Sequence, residues 1–306
     1  MKILVATEKP FAADAVQKIK QVIDNAGFEF ILFEKYTNKL QLLNAVADVN
    51  AIIIRSDIID AEVLDAAKQL KIVVRAGAGY DNVDLEAATA HGVVVMNTPG
   101  QNANAVAELV FGLMVYAARN QFDGNSGTEL MGKKLGIHAY GNVGRNVARI
   151  AKGFGMEIYA FDPLVPAEAI EKEGVKALAS AEELYATCPY VSLHIPATPE
   201  TKNSINYALL EKMPKKAVLI NTARKEVINE ADLVKLMEAR PDFKYLTDII
   251  PSNDAELKTK FPQRYFATPK KMGAQTSEAN NNAGIAAANQ IVDFFETGNT
   301  RFQVNR

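Results

Sequence analysis

Short apolar runs rich in β-branched residues alternate with helix-length segments along the chain, and this alternation limits the possible folds more than any other feature of the sequence. Eleven runs have the length and composition of strands, at residues 2–6, 28–33, 51–54, 71–74, 93–96, 135–140, 157–162, 190–195, 217–221, 245–248 and 265–267. Strands that alternate with helices form parallel sheets covered by helices on both faces. The sequence therefore predicts an α/β fold, and its 306 residues are enough for two domains.

Three helices can be located from their sequence signals. Asp60 is the predicted N-cap of a helix over 61–70. Residues 104–119 place apolar side chains three and four positions apart with few charges opposite them, which predicts a helix buried between domains. A last helix is expected over 276–297, with Gly298 as its stop.

The charge balance and the cysteine count exclude several classes of protein. Lys and Arg total 34 against 36 Asp and Glu, so the net charge of −2 gives no reason to expect nucleic acid or an anionic membrane as partner. The single cysteine, Cys188, rules out an internal disulfide and a multi-cysteine metal site. The N-terminus lacks a secretory signal pattern, and no window approaches the ~20 apolar residues of a membrane span. We therefore expect a cytoplasmic protein without a bound metal.

A glycine-bearing turn joins the predicted strand at 135–140 to a helical segment, in the pattern Ala139-x-Gly141-x-x-Gly144. Gly141 would let the backbone approach a pyrophosphate, and Gly144 would let the helix pack closely on the strand. Asp162 ends the next strand, where an acid can accept both ribose hydroxyls and repel a 2′-phosphate, so NAD is favoured over NADP. The alternatives are a purely structural turn and an Asp162 that only shapes the turn before Pro163.

Five blocks of sequence carry a resemblance to a known family and together cover nearly the whole chain. They are VVRAGAGYDNVDLEAATAHGVVVMNTPGQNANAVAEL at 73–109, HAYGNVG at 138–144, VSLHIPATPETKNSI at 191–205, LINTARKEVI at 219–228 and TPKKMGAQTSEAN at 268–280. By these blocks, the chain resembles the D-isomer-specific 2-hydroxyacid dehydrogenase family. The resemblance implies NAD-dependent oxidation of a small D-2-hydroxy acid, with D-3-phosphoglycerate as the leading substrate.

The resemblance also implies a domain organisation. Two doubly wound parallel-sheet domains, Rossmann-like and flavodoxin-like, are expected with a cleft between them that takes the substrate. The substrate domain would comprise 1–97 and 279–306, with the NAD-binding domain inserted at 98–278. The chain would be a short form without a serine-binding regulatory domain. A homodimer is expected, with a small interface because the connection at 119–130 is short.

Site residues follow from the same resemblance. Arg224 would hold the substrate carboxylate and polarise the C2 oxygen, which suits a permanently charged planar fork. Arg55 and Ser56 match positions that contact the distal phosphate, although a surface ion pair is the alternative for Arg55. The other expected substrate-binding residues are Arg75, Ala76, Gly77, Ala78, Gly79 and Asn102. The expected cofactor-binding residues are Ala139, Gly141, Asn142, Val143, Gly144, Asp162, His194, Pro196, Thr222, Ala223, Asp248 and Gly273.

The chain departs from the family at the acid/base residue. The family has a histidine in a block resembling TPHIGAQT, whereas residues 268–276 are TPKKMGAQT. Counting back from Met-Gly-Ala-Gln-Thr places Lys271 at the histidine position, whereas counting forward from Thr-Pro places Lys270 there. We favour Lys271. To accept the hydroxyl proton, a lysine must lower its pKa from about 10.4 toward about 7–9, which predicts faster oxidation at alkaline pH.

The glutamate that orients the histidine in the family is also missing. Asn253 stands at its expected place, with Asp254 beside it. Because an ammonium has no tautomer to fix, we interpret the two losses as an exchanged catalytic device. His194 is a weaker candidate acid/base, and His91 and His138 are expected to be structural.

Two rival functions remain open. One is a family member with an unphosphorylated substrate, such as a glyoxylate or hydroxypyruvate reductase. The other is a non-catalytic NAD-sensing protein, which the missing histidine would suit. Replacing Arg55 with alanine tests the first rival, because an unchanged Michaelis constant for phosphoglycerate would favour an unphosphorylated substrate. NAD binding without turnover would identify the second rival.

Overall fold

The computed structural model describes residues 1–306, which divide into two compact units. Unit 1 comprises residues 1–102 and 275–306, and unit 2 comprises residues 103–274. The limits predicted from the sequence, 97/98 and 278/279, lie a few residues away from these. None of the helices is both long and apolar enough to cross a membrane.

Unit 1 contains five strands and five helices. Its elements are β1 (Lys2–Thr7), α1 (Ala13–Asn25), β2 (Glu29–Glu34), α2 (Lys39–Ala45), β3 (Ala51–Ile54), α3 (Ala61–Ala66), β4 (Ile72–Arg75), α4 (Leu85–Ala90), β5 (Val94–Asn97) and α12 (Ser277–Thr297).

The unit 1 sheet is parallel with strand order β2-β1-β3-β4-β5, the flavodoxin-like order. Alternate side chains of a strand point to opposite faces, so Ile3 and Val5 pack with residues of α1 and α12, while Leu4 joins the cluster on the other face. One edge of the sheet is covered by a C-terminal segment, where Val304 N donates to Val95 O at 2.9 Å.

Unit 2 contains seven strands, seven helices and two 3₁₀ turns. Its elements are α5 (Ala103–Ala118), a 3₁₀ turn (Asn120–Phe122), β6 (Lys134–His138), α6 (Asn142–Gly153), β7 (Glu157–Phe161), α7 (Ala167–Glu171), β8 (Lys176–Ala177), α8 (Ala181–Thr187), β9 (Tyr190–Leu193), α9 (Tyr207–Leu210), β10 (Val218–Asn221), a second 3₁₀ turn (Lys225–Val227), α10 (Glu230–Ala239), β11 (Lys244–Thr247), α11 (Asp254–Lys260) and β12 (Tyr265–Ala267).

The unit 2 sheet has the order β12-β11-β10-β9-β6-β7-β8 and is parallel throughout. Counted from β6, this is the Rossmann order with one added strand. The sequence predicts six of these strands, and the two-residue edge strand β8 is the one it misses because two residues carry no periodicity. The prediction of two doubly wound parallel sheets is confirmed.

Both predicted capping residues are found at helix ends, whereas one predicted helix length is wrong. The Asp60 side chain accepts a hydrogen bond from Val63 N at 3.2 Å, and Gly298 ends α12 in the left-handed conformation. The predicted helix over 61–70 is too long, because α3 ends at Ala66 and the chain then turns, with Leu70 N donating to Ala67 O.

Candidate functional site

The turn after β6 takes an unusual backbone conformation. Ala139, which stands where the dinucleotide fingerprint has its first glycine, has φ +77°. Its amide donates to Phe161 O at 2.9 Å, so the turn is tied to β7 although the left-handed region costs an L residue roughly 1–2 kcal/mol. The strand consequently ends at His138, two residues before its predicted end.

The two glycines of the turn differ in what surrounds them. A Cβ on Gly144 would collide with the carbonyl oxygen of Ala139, so only glycine lets α6 pack this closely on β6. A Cβ on Gly141, the N-cap of α6, would meet no protein atom within 4 Å. Asn142 and Val143 open the helix, whose first amides carry the partial positive charge that favours a phosphate.

Asp162 lies just beyond the end of β7, beside this turn. Its Oδ2 accepts from Tyr140 N at 2.7 Å and its Oδ1 from Leu164 N at 2.8 Å. The carboxylate therefore shapes the turn before Pro163, which was the alternative role considered for Asp162. A carboxylate has about four acceptor sites in all, so it also retains capacity for the two ribose hydroxyls.

Two buried polar atoms at the carboxyl ends of β10 and β11 have no hydrogen-bond partner in the protein. They are Oγ1 of Thr222 and Oδ1 of Asp248, on side chains that are 7% and 1% exposed. The other oxygen of Asp248 accepts from Gly273 N at 2.7 Å. Burial raises the pKa of Asp248, while the charge of Lys271 acts in the opposite direction. Unpaired buried polar atoms are costly, which favours a polar ligand at this edge.

His194 follows β9 and lies at the same edge of the sheet. Its Nε2 is 2.9 Å from Ser192 Oγ, and burial together with nearby His138 lowers its pKa to about 3. An imidazole with so low a pKa is a weak base, which argues against His194 as the acid/base. Pro196 accepts from Thr201 Oγ1 through its carbonyl, and the buried Ala223 lies beside Thr222.

Arg224 lies just after β10, and the lysine block follows β12. Arg224 Nη1 donates to Ala223 O at 2.8 Å, and its own carbonyl accepts from Asn221 Nδ2 at 3.0 Å. Thr268 Oγ1 donates to Lys270 O at 2.7 Å, which fixes the start of the lysine block. Lys270 and Lys271 are both exposed within unit 2, and it is the charge of Lys271 that acts on Asp248.

Asp254 lies beside Asn253, which stands where the family has its glutamate, and its carboxylate is bonded to residues outside the lysine block. Asp254 accepts from Tyr265 OH at 2.7 Å and from Lys258 Nζ at 2.8 Å, so it serves the packing of α11. Asn253 donates weakly to Glu230 O at 3.5 Å. Asp248 is therefore the acid that the structure associates with Lys271, and Asp254 is not.

In unit 1, the turn after β4 offers backbone donors. Gly77 has φ +151°, a backbone conformation that residues with a Cβ rarely adopt, which favours glycine at this position. The carbonyls of Gly77 and Ala78 accept from Thr98 N and Asn97 Nδ2, whereas the amides of Ala78 and Gly79 carry no intramolecular hydrogen bond. Two unpaired amides in one turn suit a carboxylate.

The remaining predicted substrate residues occupy loops of unit 1. Ala76 is buried beside the glycine turn, with its amide bonded to Ile54 O at 2.8 Å. Arg75 donates through Nε to Arg55 O at 2.9 Å, which ties the end of β4 to that of β3. Ser56 is exposed, and Asn102 lies in the turn before α5.

The Arg55 side chain is half-buried and held by neutral groups. Nη1 donates to Lys9 O and Pro10 O, both at 2.9 Å, and the guanidinium lies 5.1 Å from the centre of the Phe11 ring. Nη2 donates to Asn280 Oδ1 at 2.7 Å. The surface ion pair considered from the sequence is wrong, because all these acceptors are uncharged. No pattern in the sequence predicts this contact of Asn280.

These observations fit NAD. An open N-cap at Gly141, the Asp162 carboxylate and the orphaned oxygens of Thr222 and Asp248 are the groups that a pyrophosphate, a ribose and a carboxamide would require. Fold and site together define a two-domain α/β protein with a dinucleotide-binding second unit.

A family comparison specifies the class further. The model described as D-isomer specific 2-hydroxyacid dehydrogenase, NAD binding domain, matches residues 108–269. The chain belongs to the D-isomer specific 2-hydroxyacid dehydrogenases. The expected cofactor, NAD, is confirmed by the same match.

Individual relatives are similar over most of this chain. D-3-phosphoglycerate dehydrogenase of Methanocaldococcus jannaschii is 33% identical over 95% of this chain, which spans only 57% of that protein's length. Hydroxypyruvate reductase of Thermotoga maritima is 32% identical over 86% of this chain and 90% of its own. The crystal structure of NAD⁺-bound 3-phosphoglycerate dehydrogenase from Entamoeba histolytica superposes with a TM-score of 0.90 at 46% identity, covering 100% of this chain and 99% of that one.

Replacing Gly141 with alanine is expected to weaken NAD binding by about tenfold or more without loss of stability. The added methyl group meets no protein atom but would occupy space that the pyrophosphate needs. Gly144→Ala is the matched control, since it should lower the thermal midpoint instead. Fluorescence titration with NADH and thermal unfolding measure the two effects, and equal NAD affinity in Gly141→Ala and the unchanged protein would contradict this site.

Proposed function

We propose that this protein is an NAD-dependent D-3-phosphoglycerate dehydrogenase, which oxidises 3-phosphoglycerate to 3-phosphohydroxypyruvate, the first step of serine biosynthesis. The observation that carries the proposal is the match over the whole chain to an NAD⁺-bound 3-phosphoglycerate dehydrogenase at 46% identity. The half-buried Arg55 guanidinium, whose hydrogen-bond acceptors are all neutral, supports a phosphorylated substrate.

Two groups are proposed to hold the substrate carboxylate. The unpaired amides of Ala78 and Gly79 offer neutral donors, and Arg224 offers a permanent charge that also polarises the C2 oxygen. Arg224 is anchored at its backbone and at its side chain, because Asn221 donates to its carbonyl and its Nη1 donates to Ala223 O. Anchoring of this kind fixes the side chain before the substrate arrives, so less conformational entropy is lost on binding.

A lysine is proposed to remove the proton from the C2 hydroxyl, with Lys271 favoured over Lys270. This preference rests on position: of the two lysines, Lys271 is the one whose charge acts on Asp248, at the edge of the sheet where the nicotinamide is proposed to lie. NAD, when bound, accepts the hydride that leaves C2 as the hydroxyl proton is removed. Thr222 and Asp248 would hold its nicotinamide end, and Gly141 with Asp162 its adenosine and pyrophosphate end.

Replacing Arg55 with alanine is expected to raise KM for 3-phosphoglycerate by about 10- to 100-fold and to change kcat little. The substrate phosphate is not on the reacting carbon, so losing its contact with Arg55 should weaken substrate binding more than it slows the chemical step. Lys39→Ala is the matched control, since Lys39 pairs with Asp60 and Glu62 on the same unit. Steady-state NAD reduction at several substrate concentrations measures both constants, and an unchanged KM removes the basis for a phosphorylated substrate.

A hydroxypyruvate reductase is the second candidate, favoured by the Thermotoga maritima relative, of which this chain covers 90%. The two candidates differ in which substrate has the higher kcat/KM. Assaying NAD reduction with D-3-phosphoglycerate across pH 6 to 10, and NADH oxidation with hydroxypyruvate, decides between them.

We also propose a cytoplasmic homodimer. Two large apolar side chains around the short connection after α5, Phe122 and Met131, are 65% and 71% exposed, which supports a self-association face on unit 2. Sedimentation equilibrium measures the stoichiometry.

A further inference from the structure

The Arg55 guanidinium is oriented by two separate segments of unit 1, residues 9–11 and the start of α12. The carbonyls of Lys9 and Pro10 accept from Nη1, the Phe11 ring lies against its flat face, and Asn280 Oδ1 accepts from Nη2 at 2.7 Å. Asn280 comes from the first turn of α12, which is remote in sequence from residues 9–11. A long flexible side chain is thereby held in one orientation.

The Asn280 amide is itself fixed. Its Nδ2 donates to Thr276 O at 2.8 Å, so its oxygen must face Arg55 and not the reverse. Thr276 in turn caps α12, accepting from Ala279 N at 3.1 Å. The position of Asn280 Oδ1 is therefore determined by the helix start as well as by Arg55.

The arrangement leaves specific donors available. An arginine has five N–H groups, and three of those in Arg55 are used by Lys9, Pro10 and Asn280. The remaining two are on Nε and Nη2, which can form a side-on fork for an oxyanion. The hydroxyl of the exposed Ser56 is on the adjacent residue.

The nearby carboxylates already have partners of their own. Asp57 accepts from the amides of Glu8 and Arg55 and from Tyr36 OH, and Glu34 accepts from Phe11 N. Asn280 supplies a neutral oxygen where an acid would have neutralised the guanidinium. Asp57 and Glu34 act on the Arg55 charge from nearby, but no carboxylate accepts a hydrogen bond from the guanidinium, so its remaining N–H groups stay available to a ligand.

From this geometry we propose that Asn280 is a specificity-determining positioning residue: it aims the Arg55 fork at the phosphate of a phosphomonoester substrate while leaving the Arg55 charge unneutralised. The inference rests on the proposed function, because it assigns the distal phosphate of that substrate to Arg55.

The test compares Asn280→Asp with Asn280→Ala in the full chain. Aspartate loses the Nδ2 hydrogen bond to Thr276 O but has the shape of asparagine and would pair with Arg55 as an anion. The ion pair should keep the guanidinium in place and still weaken 3-phosphoglycerate binding by roughly tenfold or more. Alanine should weaken binding by a few-fold through lost orientation. Asn281→Ala is the matched control, since Asn281 bonds Asp14 and not Arg55.

Calorimetric titration of the NAD-saturated protein with 3-phosphoglycerate and with D-glycerate gives the ratio of Kd for D-glycerate to Kd for 3-phosphoglycerate, which measures the preference for the phosphorylated ligand. The proposal requires this ratio to fall in Asn280→Asp and to stay unchanged in Asn281→Ala, with D-glycerate affinity and thermal midpoint unchanged. An unaltered ratio in Asn280→Asp overturns it, as does a wild-type protein that does not prefer the phosphorylated ligand. If the ratio behaves as required but wild type shows no turnover, the positioning role stands and the proposed function fails.

Discussion

Replacing Lys271 with alanine is expected to lower kcat for 3-phosphoglycerate oxidation by about 10²–10⁴-fold, the usual contribution of a general base. No histidine occupies the block that follows β12, and the buried His194 is too weak a base to substitute. Lys271→Arg should be equally inactive, because arginine keeps the charge but does not release its proton at working pH. The oxidation rate of the wild-type protein should rise toward alkaline pH, because more of the lysine side chain is then a neutral amine.

Lys270→Ala is the matched control for this experiment. It removes the adjacent exposed ammonium, and its backbone carbonyl still accepts from Thr268 Oγ1 at 2.7 Å. NAD affinity should be unchanged in all three variants, so stopped-flow measurement of NADH formation isolates the chemical step. If Lys270→Ala is inactive and Lys271→Ala is active, the alignment from the Thr-Pro end of the block is correct instead.

Acidification from pH 7 to pH 4 is expected to lower the free energy of unfolding by about 3 kcal/mol through His138 alone. His138 is 8% exposed, and burial lowers its pKa to about 4. The unfolded chain binds a proton near pH 6.5, which the folded protein cannot do until pH 4. Stability is therefore complete above pH 6.5 and is lost as the pH falls toward 4, and His194, with a pKa of about 3, adds to the loss.

The variant that tests this is His138→Phe combined with Tyr185→Phe, because Tyr185 OH lies 3.3 Å from His138 Nδ1 and would otherwise be left unpaired. Urea unfolding between pH 7.5 and 4.5 should show a shallower pH dependence in the double variant than in Tyr185→Phe. His91→Asn serves as a second control, since His91 is paired with Asp65 and its pKa is raised. Identical slopes in the double variant and Tyr185→Phe would show that His138 does not titrate as its burial requires.

The fold could be predicted from the sequence because its signals are local and repeated. Four of the five strands of unit 1 are rich in β-branched residues, and the fifth, β2, has a centre of apolar residues. Asp60, Thr276 and Gly298 mark helix ends through their own side chains or conformation. The strand that was missed, β8, has two residues, and the helix that was predicted too long, α3, ends without a glycine or proline. Both errors occur where tertiary contacts, and not local propensity, decide the structure.

Site residues could be predicted where they belong to a local sequence motif, but not where their role depends on a contact between residues distant in sequence. Gly141, Gly144 and Asp162 follow from the spacing of one turn. The role of Asn280 depends on a hydrogen bond to Arg55, 225 positions away, and no sequence pattern carries it. The association of Asp248 with the lysine block likewise appears only when Gly273 N is found 2.7 Å from its carboxylate.

The edges of the two sheets bear on how the protein behaves when it is concentrated or refolded. Unpaired strand edges can recruit strands of other molecules, and a long, flat, apolar edge promotes aggregation. Here β8 has two residues and β12 three, β2 begins and ends with glutamate, and the edge of β5 is occupied by residues near the C-terminus, where Val304 and Asn305 bond to Val95. The one long edge with an apolar centre, β2, is flanked by glutamates, and the other edges are short or occupied. The chain therefore carries its own protection against intermolecular β-sheet assembly, and part of that protection depends on Val304 and Asn305.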